Sequence, residues 1–171
     1  MYASRVHCAL IIYREAKLSN ISDSAYTVLI IDDDPDLLPM LAATLRVLTR
    51  FTVHTANDGA KGLELFHATR PDCVVVDVKL PSLDGFQFAR AVRGDPHSQS
   101  TPIIMLTALA LEKDRYTGYI SGTDYYLVKP IDPPDLVAAI RRAIALSEQE
   151  RYTRQQHLAE TPTPIDVFEQ S

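Results

Sequence analysis

From residue 28 onward, short apolar runs rich in β-branched residues alternate with longer stretches of helical periodicity, and this alternation constrains the fold most. It is typical of βαβ units, which build parallel sheets. Five such runs lie at residues 28–31, 51–55, 73–76, 103–106 and 125–128. Four of the five runs are nearly free of polar residues, as expected of strands with helices on both faces. The sequence therefore predicts an α/β fold around a five-stranded parallel sheet.

Helical patterns fill the gaps between these runs, near residues 37–48, 60–68, 84–92, 112–119 and 134–147. Asp34 is predicted as the N-cap of the first helix, with Pro35 at its first position. Pro39 falls a turn further inside and lacks a backbone donor. This helix is therefore expected to begin irregularly or later than its apolar pattern.

The length of 171 residues predicts one domain with tails. Residues 27–147 carry the repeating pattern, whereas residues 1–26 form an N-terminal extension of unknown structure. Residues 148–171 are polar and rich in Thr and Pro near their end, which predicts a helix extension that gives way to a flexible tail. No output domain is expected in this chain.

Charge and cysteine usage exclude several classes of protein. The net charge of −5 offers no basic surface for a nucleic-acid backbone, so direct contact with nucleic acid is not expected. The early apolar stretch at 6–13 is too short to span a membrane, and a cytoplasmic location is predicted. Cys8 and Cys73 lie far apart in the sequence and predict neither a disulfide nor a zinc site.

Polar residues follow four of the predicted strands, where the carboxyl ends of parallel strands place ligands. They are Asp32, Asp33 and Asp34 after the first run, Asp77 after the third, Thr107 after the fourth and Lys129 after the fifth. Crowded carboxylates repel one another, so Asp32, Asp33 and Asp77 imply a bound cation. Mg²⁺ suits them, because it prefers oxygen ligands and a substrate phosphate.

Such a site can place a phosphoryl group in line with a carboxylate nucleophile. Mg²⁺ and Lys129 would neutralise the charge that develops on the phosphoryl oxygens in the transition state. Thr107 could donate a hydrogen bond to the phosphoryl product. The residues therefore predict phosphoryl chemistry.

Four segments together resemble the receiver domains of bacterial response regulators, over about residues 27–146. They read IIDDDPD at 30–36, PDCVVVDVKLPSLDG at 71–85, LTA at 106–108 and DYYLVKP at 124–130. The resemblance implies a flavodoxin-like, doubly wound sheet of strand order 2-1-3-4-5 with helices on both faces. It also implies a Mg²⁺-dependent phosphoacceptor switch and not a turnover enzyme.

The resemblance assigns the site residue by residue. Asp77 is the phosphoacceptor and a metal ligand, Asp33 binds Mg²⁺ directly and Asp32 binds it through water, and the backbone carbonyl of Lys79 completes the metal site. Thr107 is the switch hydroxyl, Tyr126 the aromatic that rotates inward with it, and Lys129 the amine that pairs with Asp77. The bond from Lys129 to Pro130 is expected to be cis, and Leu109 is hypothesised to slow dephosphorylation.

The resemblance also implies the partners. A histidine kinase or a histidine phosphotransfer protein would donate the phosphoryl group, and an effector would read the surface formed by about residues 112–147. We expect a stand-alone switch, with a possible homodimer contact through the polar segment after Ser147.

Three alternatives are open at this point. Asp32 and Asp34 could serve an aspartate-nucleophile phosphohydrolase, although Asp36 stands where that class has Thr or Val. A calcium loop is disfavoured because Leu37 replaces the required Gly. The third alternative is a receiver-like binding module that never takes phosphate.

Overall fold

The structure is a computed structural model, and it describes residues 26–108, 122–147, 149–150 and 153. Its strands are β1 Thr27–Ile31, β2 Thr52–Ala56, β3 Cys73–Asp77, β4 Ile103–Thr107 and β5 Tyr125–Val128. They form one five-stranded sheet of order β2-β1-β3-β4-β5, and every pair is parallel. The predicted sheet and its strand order are confirmed. β3 and β4 each run one residue further than predicted, so that Asp77 and Thr107 are their last residues.

The described helices are α1 Leu37–Leu48, α2 Gly59–Thr69, α3 Gly85–Gly94 and α4 Pro133–Ala145. Asp58 caps α2 by accepting from the backbone N–H groups of Ala60 and Lys61. Asp84 caps α3 through a reciprocal pair of hydrogen bonds with Gln87. The helix predicted near 112–119 and the extension before Tyr26 lie outside the described residues. Within the described part of the chain, no helix has the length and apolar character to cross a membrane.

The start of α1 differs from the prediction. The helix begins at Leu37 and Asp36 is its N-cap residue, so the predictions of Asp34 as N-cap and Pro35 as first residue are wrong. The later start that Pro39 suggested is confirmed. Asp34 nevertheless stabilises the turn that leads into α1, because its Oδ1 accepts from the backbone N–H groups of Asp36 and Leu37 at 2.9 Å each. Pro39 lies in the first turn, where a backbone N–H would have no helical partner.

Two apolar layers enclose the sheet, one on each face. Val28 and Ile30 point toward α1 and α4 and pack against residues such as Leu41 and Ile140. On the other face, Leu29 and Ile31 pack against residues of α2 and α3 such as Phe66 and Phe88. Residues 28–31 have no exposed surface at all, which explains why β1 carries no polar residue. Helices on both faces leave the two strand ends as the places where polar side chains can gather.

Candidate functional site

Three carboxylates converge at the carboxyl edge of the sheet. β1 and β3 are neighbours, so Asp32, which follows β1, lies beside Asp77 at the end of β3. Asp32, Asp33 and Asp77 each offer one carboxylate oxygen, and these oxygens lie within 4.8 Å of one another. The structure thus brings together the three aspartates that the sequence predicts as a metal site.

Lys129 extends from the loop after β5 into this cluster. Its Nζ donates to Asp77 Oδ2 and lies 2.7 Å from Asp32 Oδ2. Its backbone N–H donates to the carbonyl of Thr107 at 2.7 Å, which ties the loop to the end of β4. The peptide bond from Lys129 to Pro130 is cis, as predicted. Lys129 therefore bridges the two buried carboxylates.

Burial and neighbouring charge shift the pKa values of Asp32 and Lys129. Asp32 is 1% exposed and Asp77 8% exposed, whereas Asp33 faces solvent. Burial raises the pKa of Asp32 above its usual value, even though Lys129 favours the ionised form. Burial alone would lower the pKa of Lys129, but hydrogen bonds to Asp32 and Asp77 outweigh it and raise that pKa. The amine therefore stays protonated at neutral pH.

The donor set fits a hard divalent cation. Three carboxylates and one ammonium group leave a formal charge of about −2 in the cluster, which a divalent cation would neutralise. All three donors are oxygens, and exposed Asp33 lies on the side from which water can complete an octahedral shell. The Lys79 N–H donates to Asp77 Oδ1 at 3.1 Å, so this residue lies against the same carboxylate. Its carbonyl as a further ligand stays a prediction.

The two predicted switch residues lie on neighbouring strands. Thr107 is buried at the end of β4. Tyr125 belongs to the apolar layer beneath α1 and α4, whereas half-buried Tyr126 packs against the layer on the other face. The two adjacent tyrosines therefore point to opposite faces of the sheet. Their movement on phosphorylation stays a prediction, and Leu109 lies outside the described residues.

Asp34 does not join the carboxylate cluster. Hydrogen bonds from the backbone N–H groups of Leu37 and Asp36 lower the pKa of its carboxyl group. Its side chain is thus used in the turn before α1. This geometry disfavours a phosphohydrolase that pairs Asp32 with Asp34.

Sequence reasoning missed how tightly the loop after Asp77 is packed. A side chain at Gly85 would place its Cβ 2.3 Å from the carbonyl oxygen of Asp77, so only glycine fits where α3 begins. Ser82 Oγ donates to Asp58 Oδ2 at 2.7 Å, linking this loop to the N-terminus of α2. Neither partner of this hydrogen bond was predicted, since Asp58 and Ser82 are 24 positions apart in the sequence.

Comparisons with known proteins agree with this geometry. A family model described as the response regulator receiver domain matches residues 28–141. The DNA-binding dual master transcriptional regulator RpaA of Synechocystis sp. is 35% identical over 122 residues, which are 71% of this chain and 50% of the regulator. The chain thus spans about half the length of this relative.

Solved structures show the same fold. The Vibrio cholerae chemotaxis protein CheY4 is 32% identical and superposes with a TM-score of 0.66, covering 70% of this chain and 99% of that protein. The receiver domain of the sensor histidine kinase PA1611 from Pseudomonas aeruginosa is 31% identical with a TM-score of 0.66, covering 72% of this chain and 100% of that domain. That structure has a magnesium ion coordinated in its active site cleft.

Proposed function

Because this chain belongs to the family of response regulator receiver domains, we propose that it is a phosphoacceptor switch in which Asp77 takes a phosphoryl group in a Mg²⁺-dependent reaction. The observation that carries this proposal is the convergence of Asp32, Asp33 and Asp77 on Lys129 at one edge of the sheet. Receiver domains are signalling proteins, and the site is proposed to act on its own phosphoryl group and not to turn over a substrate.

Each residue has a role that its position supports. Asp77 Oδ2 is the proposed nucleophile, and the protonated Lys129 amine offsets charge on the phosphoryl oxygens. Asp33, Asp32 and Asp77, with the Lys79 carbonyl, would hold Mg²⁺, which neutralises the anionic groups that must approach one another. The hydroxyl of Thr107 is proposed to bind the phosphoryl group, and Tyr126 to move inward as it does so.

The proposed donor is a histidine kinase or a histidine phosphotransfer protein. As the phosphoryl group passes from the donor's histidine, its P–N bond breaks and an O–P bond to Asp77 forms. The added negative charge would then shift the equilibrium of the switch residues, which an effector reads near residues 112–147. Part of that surface lies outside the described residues.

DNA binding is not carried over from the relatives. RpaA is about twice as long as the region that matches this chain, so its named DNA-binding activity belongs to the whole regulator. The net charge of −5 favours control through a protein partner. The expectations of a stand-alone switch, of a homodimer contact and of a cytoplasmic location stay predictions.

Intact-mass analysis after incubation with acetyl phosphate and Mg²⁺ tests the proposal. We expect the wild type to gain one phosphoryl group only when Mg²⁺ is present, and Asp77→Asn to gain none. Asp72→Asn is the matched control, because Asp72 binds the Thr27 N–H at the opposite edge of the sheet. A stable gain in Asp77→Asn, or no gain in the wild type, would contradict the proposed role.

A further inference from the structure

Residues 78–84 form the loop that joins the proposed phosphoacceptor to α3. Val78 at its start is buried, and its carbonyl accepts from the Gly85 N–H at 3.0 Å. Lys79, the next residue, carries the carbonyl predicted as a Mg²⁺ ligand. The shape of this loop therefore decides where that carbonyl points.

The middle of the loop has a strained turn. The Leu83 N–H donates to the Pro81 carbonyl at 2.7 Å, and Ser82 between them has a φ of +64°. This pattern is that of a γ-turn with a left-handed central residue, which is rare and strained. Arg70 is the other described non-glycine residue with positive φ, but it ends α2, where this conformation is common. Strain of this kind persists only where surrounding contacts hold it.

Asp58 supplies such a contact from α2. One of its carboxylate oxygens caps the helix, and the other accepts from Ser82 Oγ at 2.7 Å. The next residue is pressed against the same loop, since a Cβ at Gly59 would lie 1.8 Å from the carbonyl oxygen of Leu83. Two independent contacts thus fix the turn against the start of α2.

We propose that Asp58 and Ser82 are positioning residues of the metal site, whose hydrogen bond holds the 78–84 loop in the shape that directs the Lys79 carbonyl toward the carboxylate cluster. The inference rests on the proposed Mg²⁺-dependent function and deepens it. Neither residue is assigned a contact with the metal or the phosphoryl group. A merely structural hydrogen bond would contribute to folding and leave the affinity for Mg²⁺ unchanged.

The test is a calorimetric titration of the full chain with Mg²⁺. Ser82→Ala removes the hydroxyl but keeps the Asp58 cap, and we expect it to weaken Mg²⁺ binding about three- to tenfold, the loss of one hydrogen bond. Ser147→Ala is the matched control, because Ser147 Oγ donates to the Glu150 carboxylate at 2.6 Å, outside the site. Its Mg²⁺ affinity should equal that of the wild type.

A conservative variant and a kinetic readout separate positioning from stability. Asp58→Asn keeps an oxygen for the helix cap and an amide from which Ser82 Oγ can accept, so it should retain most of the Mg²⁺ affinity. Phosphorylation of Ser82→Ala should be slower at limiting Mg²⁺ and normal at saturating Mg²⁺. Equal Mg²⁺ affinity in wild type and Ser82→Ala, or an equal loss in Ser147→Ala, would overturn the inference.

The two proposals fail differently. A wild type that binds Mg²⁺ but gains no phosphoryl group contradicts the proposed function, while the titration still decides the role of Ser82. A wild type that is phosphorylated, with Ser82→Ala binding Mg²⁺ equally well, contradicts the positioning role alone. A wild type that binds no Mg²⁺ overturns both.

Discussion

The amino edge and the carboxyl edge of the sheet each contain a buried carboxylate next to a basic side chain. The two edges differ in how far the negative and positive charges cancel. At the amino edge Asp124 pairs with Arg93 at 2.9 Å, one negative group with one positive group. At the carboxyl edge Lys129 is shared by Asp32 and Asp77, with a third carboxylate close by. The charges of the Arg93–Asp124 pair at the amino edge cancel without a ligand, whereas the carboxyl edge retains negative charge that a cation can neutralise.

The amino edge shows what a structural ion pair looks like in this fold. Besides its bond to Asp124, the Arg93 guanidinium donates to the backbone carbonyls of Gly122 and Thr101 at 2.7 Å each. Asp124 Oδ2 also accepts from the Ile103 N–H at 2.8 Å. The pair thus joins the end of α3 to the starts of β4 and β5.

The difference teaches that burial of a carboxylate does not by itself identify a functional site. Asp124 and Asp32 are both almost fully buried, at 5% and 1% exposure. What separates them is the local balance of charge and the number of backbone groups that the pair joins. Substitutions at the amino edge should therefore lower stability, whereas substitutions at the carboxyl edge should change the response to Mg²⁺.

The largest expected effect is on stability at the amino edge. Asp124→Ala leaves Arg93 without its carboxylate and Ile103 without an acceptor, so we expect the free energy of unfolding to fall by about 3 kcal/mol. Urea denaturation of the wild type and the variant measures this difference in the free energy of unfolding. Asp72→Ala, which removes an exposed carboxylate at the same edge, should cost no more than about 1 kcal/mol. Similar losses in both variants would contradict the structural role of the buried pair.

The next effect belongs to the carboxyl edge and depends on ligand. Mg²⁺ at about 100 times its Kd should raise the free energy of unfolding by about 2.7 kcal/mol, because it binds the folded state. Asp33→Ala should abolish this increment at little cost to the fold, since Asp33 is exposed. Asp124→Ala should keep the increment in full. An increment that survives in Asp33→Ala would separate Mg²⁺ binding from the carboxylate cluster.

A smaller effect is the cost of charge in the Mg²⁺-free cluster. Burial raises the pKa of Asp32, so its ionisation disfavours the folded state as pH rises above 3.8, the ordinary value. Without Mg²⁺, Asp32→Asn should be more stable than the wild type at pH 7, by roughly 1 kcal/mol or less, because Lys129 offsets much of the cost of burying the charge.

Denaturation curves recorded from pH 3 to pH 7 check this sign. The advantage of Asp32→Asn should shrink as the pH falls through the raised folded-state pKa and disappear below 3.8, where Asp32 is protonated in both states. A variant that is less stable than the wild type at pH 7 would mean that the ion pair with Lys129 outweighs the burial of Asp32.

Much of the carboxyl edge could be predicted from sequence, because its residues stand one or two positions after an apolar run. Strand order then places Asp32 and Asp77 side by side. The Arg93 pair at the amino edge could not be predicted, since Arg93 and Asp124 are 31 positions apart and neither interrupts a pattern. The family assignment likewise needed all four motifs in order, since Asp34 taken alone looks like another ligand, whereas its side chain holds the turn before α1.

The smallest expected effect is a shift in the pKa of Asp58, whose carboxylate contacts the 78–84 loop next to the carboxyl edge. The hydrogen bond from Ser82 is the main cause that lowers the pKa of Asp58, followed by the Lys61 N–H. NMR titration of Ser82→Ala should therefore show this pKa rising toward its ordinary value. Asp95, whose pKa is lowered mainly by the His97 N–H, is the control and should titrate as in the wild type.

The direction of the Asp58 pKa shift also indicates the pH range in which this hydrogen bond stabilises the fold. A lowered pKa means that the ionised Asp58 favours the folded state above pH 3.8 and loses this contribution as the pH falls through the folded-state pKa. The hydrogen bond is thus intact at neutral pH, where Mg²⁺ would bind. If the pKa of Asp58 is unchanged in Ser82→Ala, the hydroxyl does not hold the loop. The close approach of Gly59 to the Leu83 carbonyl would then hold the 78–84 loop alone.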